Sequence, residues 1–530
     1  MKPLEYVRGT HFFGGASPLN CWDSLRLSEI DSLLQKIKDD GFNSILLVVP
    51  WALFQPETRP IKYDSIFFHR MDKVFSAAEA LDLGVILRLG YLWEAGETLD
   101  QTHRRYAEYT VREDIRKAWR HFMAHMHLYA KSKPNFQFAF ISWEDFYWPM
   151  LIWKAAGPVQ RRVDDARISG FRDYLPQRIS LNGLKTAYGV DIKTWDDLAT
   201  PTPTEFLYEQ YLKFYENEIL DALCCAAAEN FPGLRMELRV DPEWIKSPEG
   251  VKYYHWSMNF PGAATKVVYY HANIARSHTV RHTADEAQMH LRDLLASYCR
   301  MAELNEKKPF IDQFNFFDDT YANWSRIDDE SVNQFIEKSF DTLHKYSSGY
   351  AIWGYFDWCK DVVFNGSFDL GAHGWELTNG AIVLATETAG LPSRTLKLNG
   401  GASAKQSKFV LKLDDKSPRV VAVTGRSLGG EAKVRVELSG EANEVCFSEE
   451  SDETLVSNFP PKDLHDLRLT CTEGSVQIAR VQVYDRYYSQ GFRTPGGDSR
   501  PVVDVFRKLN SRLDELEMTT PSNPTPVNSK

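Results

Sequence analysis

The chain has 530 residues, too many for one ordinary hydrophobic core, so two or three domains are expected. Its apolar content of 43% and charged content of 25% are those of a globular protein, and a net charge of -10 argues against a nucleic-acid surface, which needs a concentrated basic field. Seven scattered Cys show neither CxxC nor metal-ligand spacing, and being odd in number they leave at least one thiol unbridged, which suits a reducing compartment. Residues 1–8 lack the apolar stretch of a secretory leader and no run of 18 apolar residues occurs, so the expected address is cytoplasmic, with no membrane partner.

The first 360 residues alternate short apolar runs with amphipathic helical stretches, the βα signature of a parallel sheet. A first strand is expected to end in Phe12-Phe13-Gly14-Gly15, followed by a helix over 27–38. The run 44–50 ends at Trp51, and a helix over 71–81 leads to the run 85–90, which ends in Tyr91, Trp93 and Glu94. A helix over 111–130 precedes 136–141, which ends in Trp143, Glu144 and Asp145. Residues 147–203 read as a long insertion before a helix over 205–230. Strand runs follow at 234–240, 266–270, 309–314 and 349–354, with helices at 284–304 and 329–346. Eight such strands predict an α/β fold, the (β/α)8 TIM barrel.

After Lys360 the texture becomes short alternating segments rich in Gly and Ser, the pattern of an antiparallel β-sandwich. A helical pattern returns with Val502, Val505, Phe506 and Leu509 on one face behind Pro501. The expected organisation is a barrel over 1–361 completed by an eighth helix within 489–518, a jelly-roll sandwich inserted at 362–488, and a disordered Pro/Ser/Thr-rich tail at 519–530.

In such barrels the polar residues just past the strand ends line the site. Here they are Trp51, Arg88, Tyr91, Glu94, Trp143, Glu144, Asp145, Tyr270, His271, Asp312, Gln313, Trp353 and Trp358. Carboxylates with aromatics suit sugar hydroxyls and sugar faces. No Walker loop, dinucleotide GxGxxG or HExxH occurs, so no cofactor and no metal is expected. Each residue also has a bland role open to it: Glu144 as a structural partner of Arg88, and Trp51, Trp353 and Trp358 as core aromatics.

Several segments resemble the retaining (β/α)8 glycoside hydrolase clan of cellulase-like and β-galactosidase-like enzymes. Val49-Pro-Trp-Ala-Leu-Phe-Gln-Pro-Glu57 resembles its post-strand-two "W…EP" and Ile86-Leu-Arg-Leu-Gly-Tyr-Leu-Trp-Glu94 its strand-three "RxGxYxxxE". Phe140-Ile-Ser-Trp-Glu144 falls where the clan carries its acid/base, and Lys308-Pro-Phe-Ile-Asp-Gln-Phe-Asn315 where it carries its nucleophile. Ala351-Ile-Trp-Gly-Tyr-Phe-Asp-Trp358 resembles its strand-eight segment. The resemblance implies a retaining β-glycosidase or transglycosidase acting on an oligo- or polysaccharide, with Glu144 as acid/base facing a second carboxylate. Substrate-binding roles would fall to Trp51, Arg88, Tyr91, Glu94, Trp143, Asp145, Tyr270, His271, Trp353 and Trp358.

Two departures stand out. Trp143 replaces the clan's Asn, and Gln313 stands where the nucleophile is expected. Three readings stay open. Asp312 is the working carboxylate; Gln313 faces the site in a non-hydrolytic sugar-binding pseudoenzyme; or Glu94 or Asp145 has taken over. Neighbouring strand residues face opposite ways, so Asp312 and Gln313 cannot both point inward without a bulge. The segment Phe364-Asn-Gly-Ser-Phe-Asp369 with Gly371-Ala-His-Gly-Trp375 is similar to the opening of jelly-roll carbohydrate-binding modules, implying a module that binds glycan or braces the barrel.

Overall fold

The computed structural model describes residues 4–14, 18, 21–25, 27–91, 104–142, 144–146, 158–238, 243–247, 250–254, 265–271, 281–301, 308–315, 326–388, 390–407, 409, 413, 416–449, 451–488, 491–494 and 497–519. Eight parallel strands close into a barrel: β1 Val7–His11, β2 Ser44–Pro50, β3 Gly84–Tyr91, β4 Phe136–Ser142, β5 Arg235–Leu238, β6 Thr265–His271, β7 Phe310–Asn315 and β8 Gly349–Ile352. They follow one another round the ring in chain order, and β1 closes it by pairing with β8 and β2. Every residue of β2 and β3 is buried, because one face fills the barrel and the other lies under helices.

The outer layer comprises α1 Ile30–Asp39, α2 Ser65–Ala80, α3 Glu113–Lys131, α4, α5 Ala284–Met301 and α6 Val332–Tyr346. Helix α4 runs through Tyr208–Phe214, a π-helical turn Tyr215–Leu220 and Asp221–Asn230. Among the described residues no helix links β5 to β6; an antiparallel hairpin, Glu243–Ser247 with Gly250–Tyr254, stands there instead. No described helix is long and apolar enough to cross a membrane, and all seven Cys are unbridged.

The structure differs from the sequence expectations in three places. β1 ends at His11, before Phe12-Phe13-Gly14-Gly15, because polar residues in Val-Arg-Gly-Thr-His hide a strand that is buried throughout. Helix α2 starts at Ser65 rather than at 71: the Asp64 side chain accepts from the Ile66 amide at 2.9 Å and so caps the turn. The segment read as an insertion holds helices Val159–Ile168, Phe171–Tyr174 and Leu181–Tyr188.

Beyond β8 two five-stranded antiparallel sheets form the β domain around a core of their own, with Leu396, Val434, Val436, Leu469, Ile478 and Val481 fully buried between them. One sheet orders its strands Glu376–Thr378, Ser403–Gln406, Leu467–Glu473, Ala432–Leu438 and Glu441–Phe447. The other runs Ile382–Thr388, Leu391–Asn399, Ser475–Tyr484, Arg419–Ser427 and Glu453–Phe459. Its opening is held by Asn365, which sits at φ 50° and donates to the carbonyls of Gly371 and His373, both at 2.9 Å. Asp369, buried, then pairs with buried Arg70 of α2 at 2.6 Å, fastening this opening to the barrel.

The chain returns to the barrel as α7, Val502–Thr519, whose Phe506 packs edge-on against Phe492 and Tyr350 and stacks on Phe42. Asp40, 1% exposed at the end of α1, is the polar counterpart of this contact. It accepts from Arg493 (2.8 and 3.0 Å), from Arg507 (2.7 and 3.1 Å) and from the Tyr355 hydroxyl. All three donors come from chain beyond β8, so this carboxylate ties the ends of the barrel together. Asp40→Ala would leave Arg493 buried without its counter-ion. It should cost about 3–5 kcal/mol, read as a lowered urea midpoint, with Asp40→Asn intermediate.

Candidate active site

The C-terminal ends of β3, β4 and β7 converge on one guanidinium. Arg88 of β3 is fully buried, and its Nε and Nη2 donate to the two oxygens of Asp145, both at 2.7 Å. The same Nη2 reaches Glu144 Oε2 at 2.9 Å, while Nη1 stands 3.6 Å from Asp312 Oδ2. The Tyr91 ring, also buried, lies 5.3 Å from the guanidinium carbon. On the adjoining strand Ser142 donates to Glu237, which is fully buried on β5.

One cation thus serves four carboxylates. Burial opposes its charge, yet Asp145, Glu144 and Glu237 hold Arg88 well above its ordinary value. Burial pushes the Asp145 carboxyl up to about 7, against the pull of Arg88 and with help from the charges of Glu144 and Glu237. The carboxylates differ in access: the Glu144 side chain is 19% exposed, whereas those of Asp145 and Asp312 are fully buried. Glu144 is therefore the member able to meet a substrate. Among the described residues no group of His, Cys, Asp and Glu forms a metal site.

The strand pairing resolves the conflict between Asp312 and Gln313. Along β6 and β7, Val268 pairs with Ile311 but Tyr269 pairs with Gln313, so Asp312 is the extra residue of a bulge. The bulge breaks the alternation and lets neighbours share one side. The Asp312 carboxylate faces Arg88, and Gln313 Nε2 donates to Glu144 Oε2 at 3.2 Å.

His11, at the end of β1, is a site residue the sequence reading missed. It is fully buried, and its Nε2–H donates to the Asp312 carbonyl at 2.7 Å, pinning the bulge from across the ring. Burial, seconded by the charge of Arg88, drives its pKa down to about 3, so the ring is neutral. The Nδ1 lone pair then has no hydrogen-bond partner among the described residues. Trp353 of the strand-eight segment, half-buried, lies against it with ring centroids 4.9 Å apart, and Phe13 flanks both. A strand drawn through Val7–His11 would have placed this imidazole at a barrel mouth.

Other expected site residues lie elsewhere. Trp51 is fully buried: β2 runs straight into the helical turn Trp51–Phe54, which turns the indole into the core. There it donates to Gln55 at 2.7 Å and packs on Trp119. Trp358 is buried too, in a short antiparallel pair with Tyr487–Tyr488 beyond the barrel strands. Arg88, Tyr91 and Asp145 are at the site but too deep to touch a sugar, because they serve the charge cluster. Tyr270 and His271 close β6, with side chains outside the described set; Glu94 and Trp143 lie outside the described residues altogether.

No family model and no curated protein matches the sequence. The structure is similar to the GH5_18 protein of Streptomyces cattleya solved with GlcNAc, at 13% identity and a TM-score of 0.42 over 67% of this chain and 72% of that one. It is similar to the cold-adapted β-galactosidase of Rahnella sp. R3, at 14% identity and a TM-score of 0.43 over 67% and 51%. A GH5_18 variant of Bifidobacterium longum solved with Manβ1-4GlcNAc covers 98% of this chain and 80% of its own at 10% identity and a TM-score of 0.44. By its own strand order the chain is a closed (β/α)8 barrel with an antiparallel β domain.

The imidazole supplies a pH test. Its folded pKa of about 3 lies below the ordinary 6.5, so between those values the unfolded chain binds more protons. The contribution of His11 to stability is complete above about pH 6.5 and is lost as pH drops through that window, by about 2 kcal/mol from pH 7 to pH 5. The raised Asp145 carboxyl works in the opposite sense over the same range, so the slope is read as a difference: the stability of the wild type minus that of His11→Gln, from urea unfolding, should fall by this amount from pH 7 to pH 5.

Proposed function

We propose that the protein is a glycoside hydrolase acting on an oligo- or polysaccharide, with Glu144 as its proton-transfer group. The observation that carries this reading is the setting of Glu144. It stands at the carboxyl ends of the strands, partly exposed, with one oxygen held by both Arg88 and Gln313. A carboxyl fixed there can protonate a glycosidic oxygen and later deprotonate water. Trp353 offers a half-buried aromatic face against His11, whose ring holds the Asp312 backbone.

Double displacement by two protein carboxylates requires the second about 5–5.5 Å from the acid. The group in contact with Glu144 is instead the Gln313 amide, while Asp145 and Asp312 are sealed against Arg88. That contact also favours a second reading, a sugar-binding protein on a barrel that no longer cuts.

Turnover of aryl β-glycosides and of an oligosaccharide panel separates the two. A hydrolase should lose about 10²-fold or more of kcat in Glu144→Gln with its melting temperature retained. A chain that binds oligosaccharide by calorimetry but turns over no glycoside is the binder. In that case Gln313→Glu should create activity where none existed; in the hydrolase it should not.

A further inference from the structure

We propose that the sugar cleaved is a 2-acetamido-2-deoxy sugar, that its own acetamido oxygen is the nucleophile, and that Gln313 orients that group. This inference rests on the glycosidase reading and deepens it. It starts from the juxtaposition of Gln313 and Glu144, whose Nε2 and Oε2 are 3.2 Å apart. A pair that must flank an anomeric carbon from opposite faces cannot touch in this way. A pair whose members both serve a group attached to the sugar can.

The chemistry of the amide points the same way. Glu144 Oε2 already accepts from Arg88 and so carries no proton, which leaves the Glu144 proton to its other oxygen; the Gln313 NH2 therefore faces Oε2, and the Gln313 Oε1 is the atom left to accept. An acetamido N–H is the donor that fits it, and holding that N–H turns the acetyl oxygen toward C1. A carboxylate at position 313 would add a negative charge beside Glu144, where Asp145, Asp312 and Glu237 already crowd Arg88. A neutral amide supplies the acceptor without that repulsion. No other described carboxylate of the cluster is exposed to supply the nucleophile.

In the first step the acetamido oxygen attacks C1, the bond from C1 to the leaving oxygen breaks, and that oxygen takes the proton of Glu144. The product is a cyclic oxazolinium whose N–H stays on Gln313 Oε1. In the second step water adds to C1 and gives its proton to the Glu144 carboxylate. The C1–O bond of the ring breaks, the acetamido group is restored, and Glu144 is again protonated. The sum is hydrolysis with retention. Attack needs the leaving group trans to C2, so the substrate is the β-anomer of a gluco- or galacto-configured sugar.

The test uses the intact wild-type chain and 4-nitrophenyl β-glycosides that differ only at C2. The 2-acetamido compound should exceed the 2-hydroxy compound in kcat/KM by about 10²-fold or more. Its rate should fall with each fluorine placed on the acetyl methyl, which weakens the attacking oxygen. Gln313→Ala should lose about 10²-fold in kcat on the acetamido compound, with a larger loss in kcat than in KM. Equal turnover of both compounds, or rates indifferent to fluorine, overturns the inference and leaves the glycosidase reading standing. No turnover of any glycoside overturns both.

Discussion

Arg88 is a permanent charge without solvent, and the active end of the barrel is arranged around its need for counter-ions. An isolated guanidinium could not be buried there; the charge is tolerated because Asp145 meets it with two short bonds and Glu144 with a third. The dependence is mutual, since Glu144, Asp145 and Asp312 all meet this one cation. Arg88 thereby fixes Glu144 through Nη2 while its fork grips Asp145, and burial, seconded by the charges of Glu144 and Glu237, pushes the Asp145 carboxyl up to about 7. Positioning and electrostatics come from one side chain.

The bulge at Asp312 is the second device. A regular β7 would have sent one of Asp312 and Gln313 outward, giving the site either a further buried acid or the amide. The extra residue admits both, and they divide the work, the acid balancing Arg88 and the amide bonding Glu144. His11 secures the distortion by donating to the Asp312 carbonyl, a bond that a neutral ring can make. That neutrality follows from burial next to Arg88, so the charge cluster and the bulge support each other.

The β domain makes a different contribution. The chain leaves the barrel after β8 and must come back to cover the seam between α6 and α1. Asp40, with Arg493, Arg507 and Tyr355, holds the returning chain, and the pair Arg70–Asp369 holds the outgoing one. Each fastening is centred on a buried ion pair, Arg493–Asp40 and Arg70–Asp369, whose partners are costly to separate once desolvated. The Asn365 turn, bonded to backbone carbonyls, belongs to the same bracing.

How much of this was legible in the residues depends on whether a feature is local. Apolar runs such as 44–50 and 85–90 announce strands buried on both faces, and the pattern of Val502, Val505, Phe506 and Leu509 announces a helix 150 residues away from the strand it follows. Arg88, Glu144, Asp145 and Gln313 could be singled out because strand ends can be located from such runs. The first strand was placed a few residues late, ending at Phe12-Phe13, because the polar residues of Val7–His11 hide its burial, and His11 was lost with that shift. Trp51 reads as a sugar platform at a strand end, yet the direction of its ring is set by the turn that follows and by Trp119, which lies 68 positions on. The bulge is beyond any reading of β7 alone, because register exists only against β6. Strand and helix formation are short-range and are written in composition and spacing. Which of two adjacent side chains faces a cavity, and what charge meets it there, is a property of neighbours that only the closed ring brings together.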